Sequence, residues 1–360
     1  MTKWSKEKVW EWYNSQPWIR GVNYIPSCCV NSIEQWQEYN FENVLSVIDN
    51  ELALAANVGF NSIRYGLSFF IWENQHDGFM ERLERFLEVC AKHHITVMFV
   101  LGNDCTVPKH NYVPGHFGEQ EWDLGYHSGK KISPHIVLDD EGYSPFDEEE
   151  YAARYCEMVR EIVTKYQNDE RIIMWDVFNE IGNSLRGVKS VPFMKRLFTV
   201  IREIDPLQPV GACAWRVDRH GHIESEEERI AVELSDIVLW HYYGDYKTTV
   251  KIIENLKKYE CPLINTEWLH RIQHNNIEEI FPLFYLERIG SYSWGLVAGK
   301  TQTYEPWEHL WHAYDHDKSL NLDFTKWQHD LFRANHRPYN PKEIEIIKEF
   351  CQLADQKYKE

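Results

Sequence analysis

The chain has 360 residues, 43% of them hydrophobic and 26% charged, which fits an ordinary folded protein with enough apolar side chains for one large core and excludes a disordered chain. Its 38 basic and 56 acidic residues give a formal net charge of -18, a balance that repels phosphate backbones and anionic lipid, so neither nucleic acid nor a membrane surface is expected as a partner.

The opening residues, MTKWSKEKVWEWYNSQPW, have no continuous apolar stretch and no small-residue cleavage site. They do not read as an export signal, and residues 1–17 are expected to form a helical extension. No stretch is long and apolar enough to span a bilayer. Eight cysteines, with Cys28 and Cys29 adjacent and the rest scattered, show neither a disulfide framework nor zinc-type CxxC spacing. They read as reduced thiols, and a cytoplasmic location is expected.

From there, apolar runs rich in β-branched and aromatic residues alternate with amphipathic segments at helical spacing. WIRGVNYI precedes VLSVIDNELALAANVG, SIRYGLSF precedes FMERLERFLEVCAKHH, and ITVMFVLG precedes YAARYCEMVREIVTKY. The fourth and fifth pairs are IIMWDVFNE with VPFMKRLFTVIREID and PVGACAW with SEEERIAVELS. IVLWHYYG with KTTVKIIENLKKY and PLINTEWL with IEEIFPLFYLERIG follow, and SYSWGLVAG is the eighth run. Gly59 and Asp205-Pro206 mark helix stops, while NPKEIEIIKEFCQLADQKY reads as a closing helix with Asn340 as its cap and Pro341 in first position. Strands this hydrophobic imply a parallel sheet covered on both faces, and eight alternations imply closure into a (β/α)8 TIM barrel, here one domain over residues 1–360. An open doubly wound sheet usually carries a glycine-rich phosphate loop after its first strand, and NYIPSCCVNS is not one. Two insertions break the spacing: residues 103–145 after the third strand and 300–330 after the eighth, both rich in aromatic residues. Loops after the strands form the active-site face of such barrels, so these segments are expected to wall or cover a pocket.

At the end of the fourth run, Asn179 and Glu180 leave an apolar strand, and Glu267 ends the seventh in the same way. Two acids on distant strands of one small barrel can face each other across its mouth. Glycoside hydrolysis needs such a pair, one carboxyl kept protonated for the leaving oxygen and the other ionised to attack or to activate water. Asn179 is placed to hold a sugar 2-hydroxyl, while Arg64 and Tyr243 are the expected partners of Glu267; Asp176, four residues before Glu180, is expected to be a structural partner. Asn103, Asp104, Trp215, Lys300 and Trp307 also stand at suitable strand or loop ends.

These residues together, NE after strand four, Glu267 after strand seven, Arg64 on strand two, His241 and Tyr243 as H-x-Y on strand six and Trp294 on strand eight, resemble the clan A glycoside hydrolases. Within that clan the chain is most similar to the cellulase-like catalytic barrels of the family 5 and family 2 type. The resemblance implies a retaining β-glycosidase with Glu180 as acid/base, Glu267 as nucleophile, and Arg64, Asn179, His241, Tyr243 and Trp294 around the sugar at the broken bond. Strand three departs from that pattern, with LGNDC where many clan members place a histidine. A carbohydrate is therefore the expected partner, with no cofactor. HGH at 220–222 and HAYDH at 312–316 are the nearest approaches to a metal motif, but the first strand lacks the H-x-H with which metal-dependent barrels begin, so no metal is expected. Exo action on a short or decorated glycoside is the favoured expectation. The alternatives are an endo-β-1,4-glycanase of xylanase or cellulase type and a non-catalytic sugar-binding barrel.

Overall fold

The computed structural model describes residues 3–218 and 220–357. Eight strands follow in chain order: β1 (Arg20–Asn23), β2 (Ser62–Gly66), β3 (Thr96–Val100), β4 (Ile172–Phe178), β5 (Val210–Ala214), β6 (Val238–His241), β7 (Leu263–Trp268) and β8 (Gly290–Trp294). Each pairs in parallel with its neighbours in sequence and β8 closes on β1, so the expected (β/α)8 barrel is the observed fold. The strands are buried on both of their faces, which is why β3 to β6 are rich in apolar residues. Ile63, Val97, Trp175 and Trp240 pack in the layer shared with the helices, whereas Met98, Met174, Leu239 and Ile264 belong to a second, inner cluster.

The helix stops are where the residues require them. The helix Phe41–Val58 ends at Gly59, whose φ of 107° suits glycine and whose N–H reaches back to the carbonyls of Ala55 and Ala56. SEEERIAVELS forms the helix Glu226–Leu234, capped by the Ser225 side chain. The closing helix runs Pro341–Lys357, and Asn340 Oδ1 accepts from Lys342 N at 3.1 Å. At the other end of the chain, the helix Lys6–Ser15 covers the bottom of the barrel: Val9 and Tyr13 join the inner cluster, and the Tyr13 hydroxyl bonds Arg288 O and Gly290 N. Met1 and Thr2 of the expected extension and Tyr358 of the expected closing helix lie outside the described residues. All eight cysteines are free, and among the described residues no helix is long and apolar enough to cross a membrane.

The segment 103–145 crosses the mouth of the barrel and is tied to the loops after β1 and β8. Asn31 donates to Gln120 at 3.0 Å and Gly118 N to Gln37 at 2.8 Å. Gln302 accepts from Gly125 N at 2.6 Å and donates to Asp123 O at 2.7 Å, while His309 N donates to His135 O at 2.8 Å. Backbone groups that would otherwise be desolvated without partners are satisfied by these bonds, which fixes the segment as a wall.

Register irregularities occur in β4 and β7, the two strands that lead to the glutamates. Val97 and Met98 of β3 pair with Ile172 and Met174, and Gly211 and Ala212 of β5 pair with Asp176 and Phe178, so β4 has an extra residue against each neighbour. In β7 the step from Asn265 to Glu267 matches a single step in β6, and the step from Asn265 to Trp268 matches two residues of β8. Such bulges turn a strand end and re-aim its side chains.

At the start of the barrel, Gly21 has no room for a side chain: a Cβ there would stand 2.1 Å from the Ser62 carbonyl oxygen. Gly21→Ala is expected to lower stability by about 1–3 kcal/mol, seen as a drop of several degrees in the thermal midpoint, because β1 and β2 must separate. An unchanged midpoint would contradict the close approach described.

Candidate active site

Glu180 and Glu267 meet at the barrel mouth. Glu180 sits two residues beyond β4 with φ at 47°, a left-handed conformation that a non-glycine residue adopts at some cost in backbone energy. Its N–H is held by Cys213 Sγ at 3.0 Å. Glu267 projects from the bulged end of β7. One oxygen of each carboxyl and His241 Nδ1 all lie within 4.8 Å of one another.

Arg64 organises the floor. Its Nη1 donates to Glu267 Oε1 at 2.7 Å and to Asn23 Oδ1 at 2.8 Å, its Nε to Asp176 Oδ2 at 2.9 Å, and its Nη2 to Asn179 Oδ1 at 2.6 Å. Tyr243 OH donates to Glu267 Oε2 at 2.7 Å. His241 Nδ1 stands 2.9 Å from Glu180 Oε1 and 3.5 Å from Glu267 Oε2, between the two acids. The other oxygen of Glu180 accepts from Cys105 Sγ at 2.9 Å and from the Asn183 amide. All of the expected side chains are therefore brought together: Arg64, Asn179, His241 and Tyr243 by direct bonds, and Trp294 as part of the wall beside Glu267.

Burial sets the protonation pattern. It pushes both glutamates above the usual carboxylate range, and for Glu267 the neighbouring Arg64 and Tyr243 act in the opposite sense. At Glu180 the opposing contacts are Cys105 and Asn183, with Arg64 acting from further away. Two carboxyls this close repel as anions, so the pair gives up its protons in separate steps. The one in direct contact with Arg64 is the better site for the charge. Burial lowers His241 to about 4, leaving it neutral. Among the described residues, Glu180, His241 and Glu267 are also the one group of ligand atoms close enough to hold a metal; Arg64 and Tyr243 donate to Glu267, and Cys105 and Asn183 to Oε2 of Glu180.

Two cavities join at Asn103, Asn179, Glu267 and Trp294. A recess of about 270 Å³ on the β1–β3 side is lined by Arg64 and bounded by Tyr24, Ile25, Gln35 and Tyr155. A chamber of about 490 Å³ on the other side contains Glu180 and is walled by the two insertions, through Trp307, His127, His135 and His309. Trp307 is its centrepiece, stacked on His135 at 5.5 Å and edge-on to Tyr243 at 5.1 Å between ring centroids. Among the described residues, no lysine or arginine lines this chamber.

Residues 82–318 match the family described as glycosyl hydrolases family 2, TIM barrel domain. The chain belongs to that family. This family 2 barrel is thus an O-glycosyl hydrolase of the clan A type that its residues resemble. Among solved structures it is similar in fold to the exo-β-1,4-mannosidase Op5Man5 from Opitutaceae bacterium strain TAV5, at 17% identity and a TM-score of 0.60 over 94% of this chain and 60% of that one. GH5_18 from Streptomyces cattleya in complex with GlcNAc is 11% identical, with a TM-score of 0.57 over 93% of this chain and 80% of that one. The endo-β-1,4-mannanase from Thermotoga petrophila is 14% identical, with a TM-score of 0.57 over 96% of this chain and 78% of that one. No curated protein sequence matches the chain.

Several contacts were not anticipated from the sequence. Asn23 ends β1 as Arg64 lies on β2, so the strand-end rule that found the others applied equally to it. Cys105 and Asn183 lie beyond strand ends and gave no such signal. Of the further candidates, Asn103, Trp215 and Trp307 line the chamber, whereas Asp104 is buried against Arg186 and Ser190, and Lys300 pairs with Glu34.

His127 is satisfied only as a neutral ring, its Nδ1 donating to Glu305 O at 2.8 Å and its Nε2 accepting from Trp307 Nε1 at 3.2 Å. Burial lowers its pKa from 6.5 to about 3. Because the folded value lies below the unfolded one, the unfolded chain protonates first as pH falls; the stabilisation is whole above about pH 6.5 and is lost towards pH 3. The difference in unfolding free energy between the wild type and His127→Gln should therefore shrink by roughly 1–2 kcal/mol between pH 7 and pH 5 in denaturant titrations. A difference independent of pH would show that the ring is not held neutral.

Proposed function

We propose that the protein hydrolyses a β-linked glycoside with net retention, removing a terminal uncharged sugar. The observation that carries this is the approach of Glu180 and Glu267, one oxygen of each carboxyl lying within 4.8 Å of one oxygen of the other. Retaining enzymes keep their carboxyls roughly 5–5.5 Å apart, while inverting enzymes need a gap of about 6.5–9.5 Å for a water molecule. Glu267, charged against Arg64, attacks the anomeric carbon while protonated Glu180 gives its proton to the leaving oxygen. In the second step Glu180 takes a proton from water, which releases the sugar from Glu267. Asn179 is placed for the 2-hydroxyl, a contact that strengthens as positive charge develops on the ring.

The two cavities support a direction for the substrate. Glu180 must reach the leaving oxygen and lines only the larger chamber, so the aglycone belongs there. The glycone belongs in the smaller recess, whose limited volume and tied surrounding loops favour exo action. Among the described residues, Arg64 is the one cation lining either space, and its donors are taken up by Asp176, which both Nε and Nη2 contact, and by Asn23, Glu267 and Asn179, which leaves none for a sugar carboxylate. Mannosides lead the list of candidates because two of the similar folds carry mannosidase and mannanase names.

On an aryl β-glycoside, Glu267→Gln should lose turnover to background while still binding the sugar. Glu180→Ala should lose about 10²–10⁴-fold with a poor leaving group, far less with an activated one, and recover with azide as the substitute nucleophile. Unchanged turnover in Glu267→Gln would remove that residue from the chemistry. A rapid fall in viscosity of a polymeric β-mannan, rather than release of single sugars from its end, would select an endo enzyme instead.

A further inference from the structure

We propose that Cys105 is a positioning residue for Glu180, holding the carboxyl in place and tuning its hold on the proton through both halves of the reaction. The inference rests on Glu180 being the acid/base. The thiol stands 2.9 Å from Glu180 Oε2, and the direction of its proton is fixed by what surrounds the sulfur. Asn179 Nδ2 donates to Sγ at 3.5 Å and Asn183 Nδ2 at 3.4 Å, so the sulfur acts as acceptor on those sides and its hydrogen is left to point at the carboxyl. Asn103 anchors the arrangement, its Oδ1 accepting from Cys105 N at 3.0 Å and from Asn179 Nδ2 at 2.9 Å.

A thiol suits this place chemically. It is a weak donor and a weak acceptor, so it supports the ionised carboxylate without holding the group in that form, and it turns to accept when Glu180 carries the proton. A lysine or arginine would fix the charge on Glu180 and prevent it from acting as an acid. The other titratable or charged groups facing Glu180 are His241 from β6, Arg64 from β2, Glu267 from β7, Cys213 from β5 and Tyr243 from the loop after β6. Asn183, which shares Oε2 with Cys105, does not titrate.

The test is the pH dependence of kcat/KM on an aryl β-glycoside, whose basic limb reports loss of the acid's proton. Cys105→Ala removes a donor to the ionised form and is expected to move that limb upward by about 0.3–1 pH unit. Cys105→Ser supplies a stronger donor and is expected to move it downward; should the alanine variant fail to fold, this shift carries the test. A basic limb that stays within about 0.2 unit of wild type in every variant that folds, or that moves the opposite way, would overturn the proposal. Glu180→Ala measured alongside separates the two claims: if it keeps the basic limb, the acid/base assignment itself has failed, whatever the cysteine variants do.

Discussion

One buried guanidinium holds this site together. Arg64 lies on the inner face of β2 and is almost fully buried, yet it is bonded to two carboxyls and two amide oxygens from β1, the two glutamate-bearing strands and their ends. Taking such a group out of water is tolerable only when its donors find partners, and breaking one buried pair leaves an uncompensated charge worth about 3–5 kcal/mol. The need to satisfy Arg64 therefore fixes Asn23, Asp176, Asn179 and Glu267 relative to each other before any substrate arrives. It also makes the two glutamates unequal. Three carboxyls gather around this one cation, and Glu180 is the one without a direct bond to it, so retention of a proton is easiest there.

The backbone is bent to bring this about. Regular parallel pairing would alternate side chains evenly along β4 and β7, but the extra residue in each strand turns its end toward the mouth. Glu180 then takes a left-handed φ, and its N–H is held by Cys213. The surrounding barrel, filled by the inner cluster and covered at its base by the N-terminal helix, is rigid enough to hold that conformation. The same logic applies to the roof, where side-chain amides such as Gln120 and Gln302 hold a long irregular segment in one place.

The sequence was most informative where a residue's position along its own strand decides its role. Alternation of apolar runs and amphipathic segments marks all eight strands, because each needs two buried faces. Glu180, Glu267 and Arg64 are legible as charged groups at or near the ends of buried strands. Asn23 obeys the same rule, but an asparagine in WIRGVNYI also suits a turn, which hides it. The bulges in β4 and β7 depend on how many residues the neighbouring strands contribute, and no single segment states that. The histidine wall is likewise a tertiary product: His127 and His135 come from one insertion and Trp307 and His309 from another, and each ring taken singly looks like an ordinary polar residue in a loop. Cys105 belongs with these, since its meaning comes from a partner 75 positions away.

The account stands on the division of labour between the two glutamates, and trapping the covalent intermediate examines it most directly. A 2-deoxy-2-fluoro glycoside with a good leaving group slows both steps, and the second step more, so a glycosyl-enzyme should accumulate. Peptide mass spectrometry after digestion should then find the sugar attached to Glu267 and nowhere else. Attachment to Glu180, or steady hydrolysis to the inverted anomer with no adduct, would contradict the central claim.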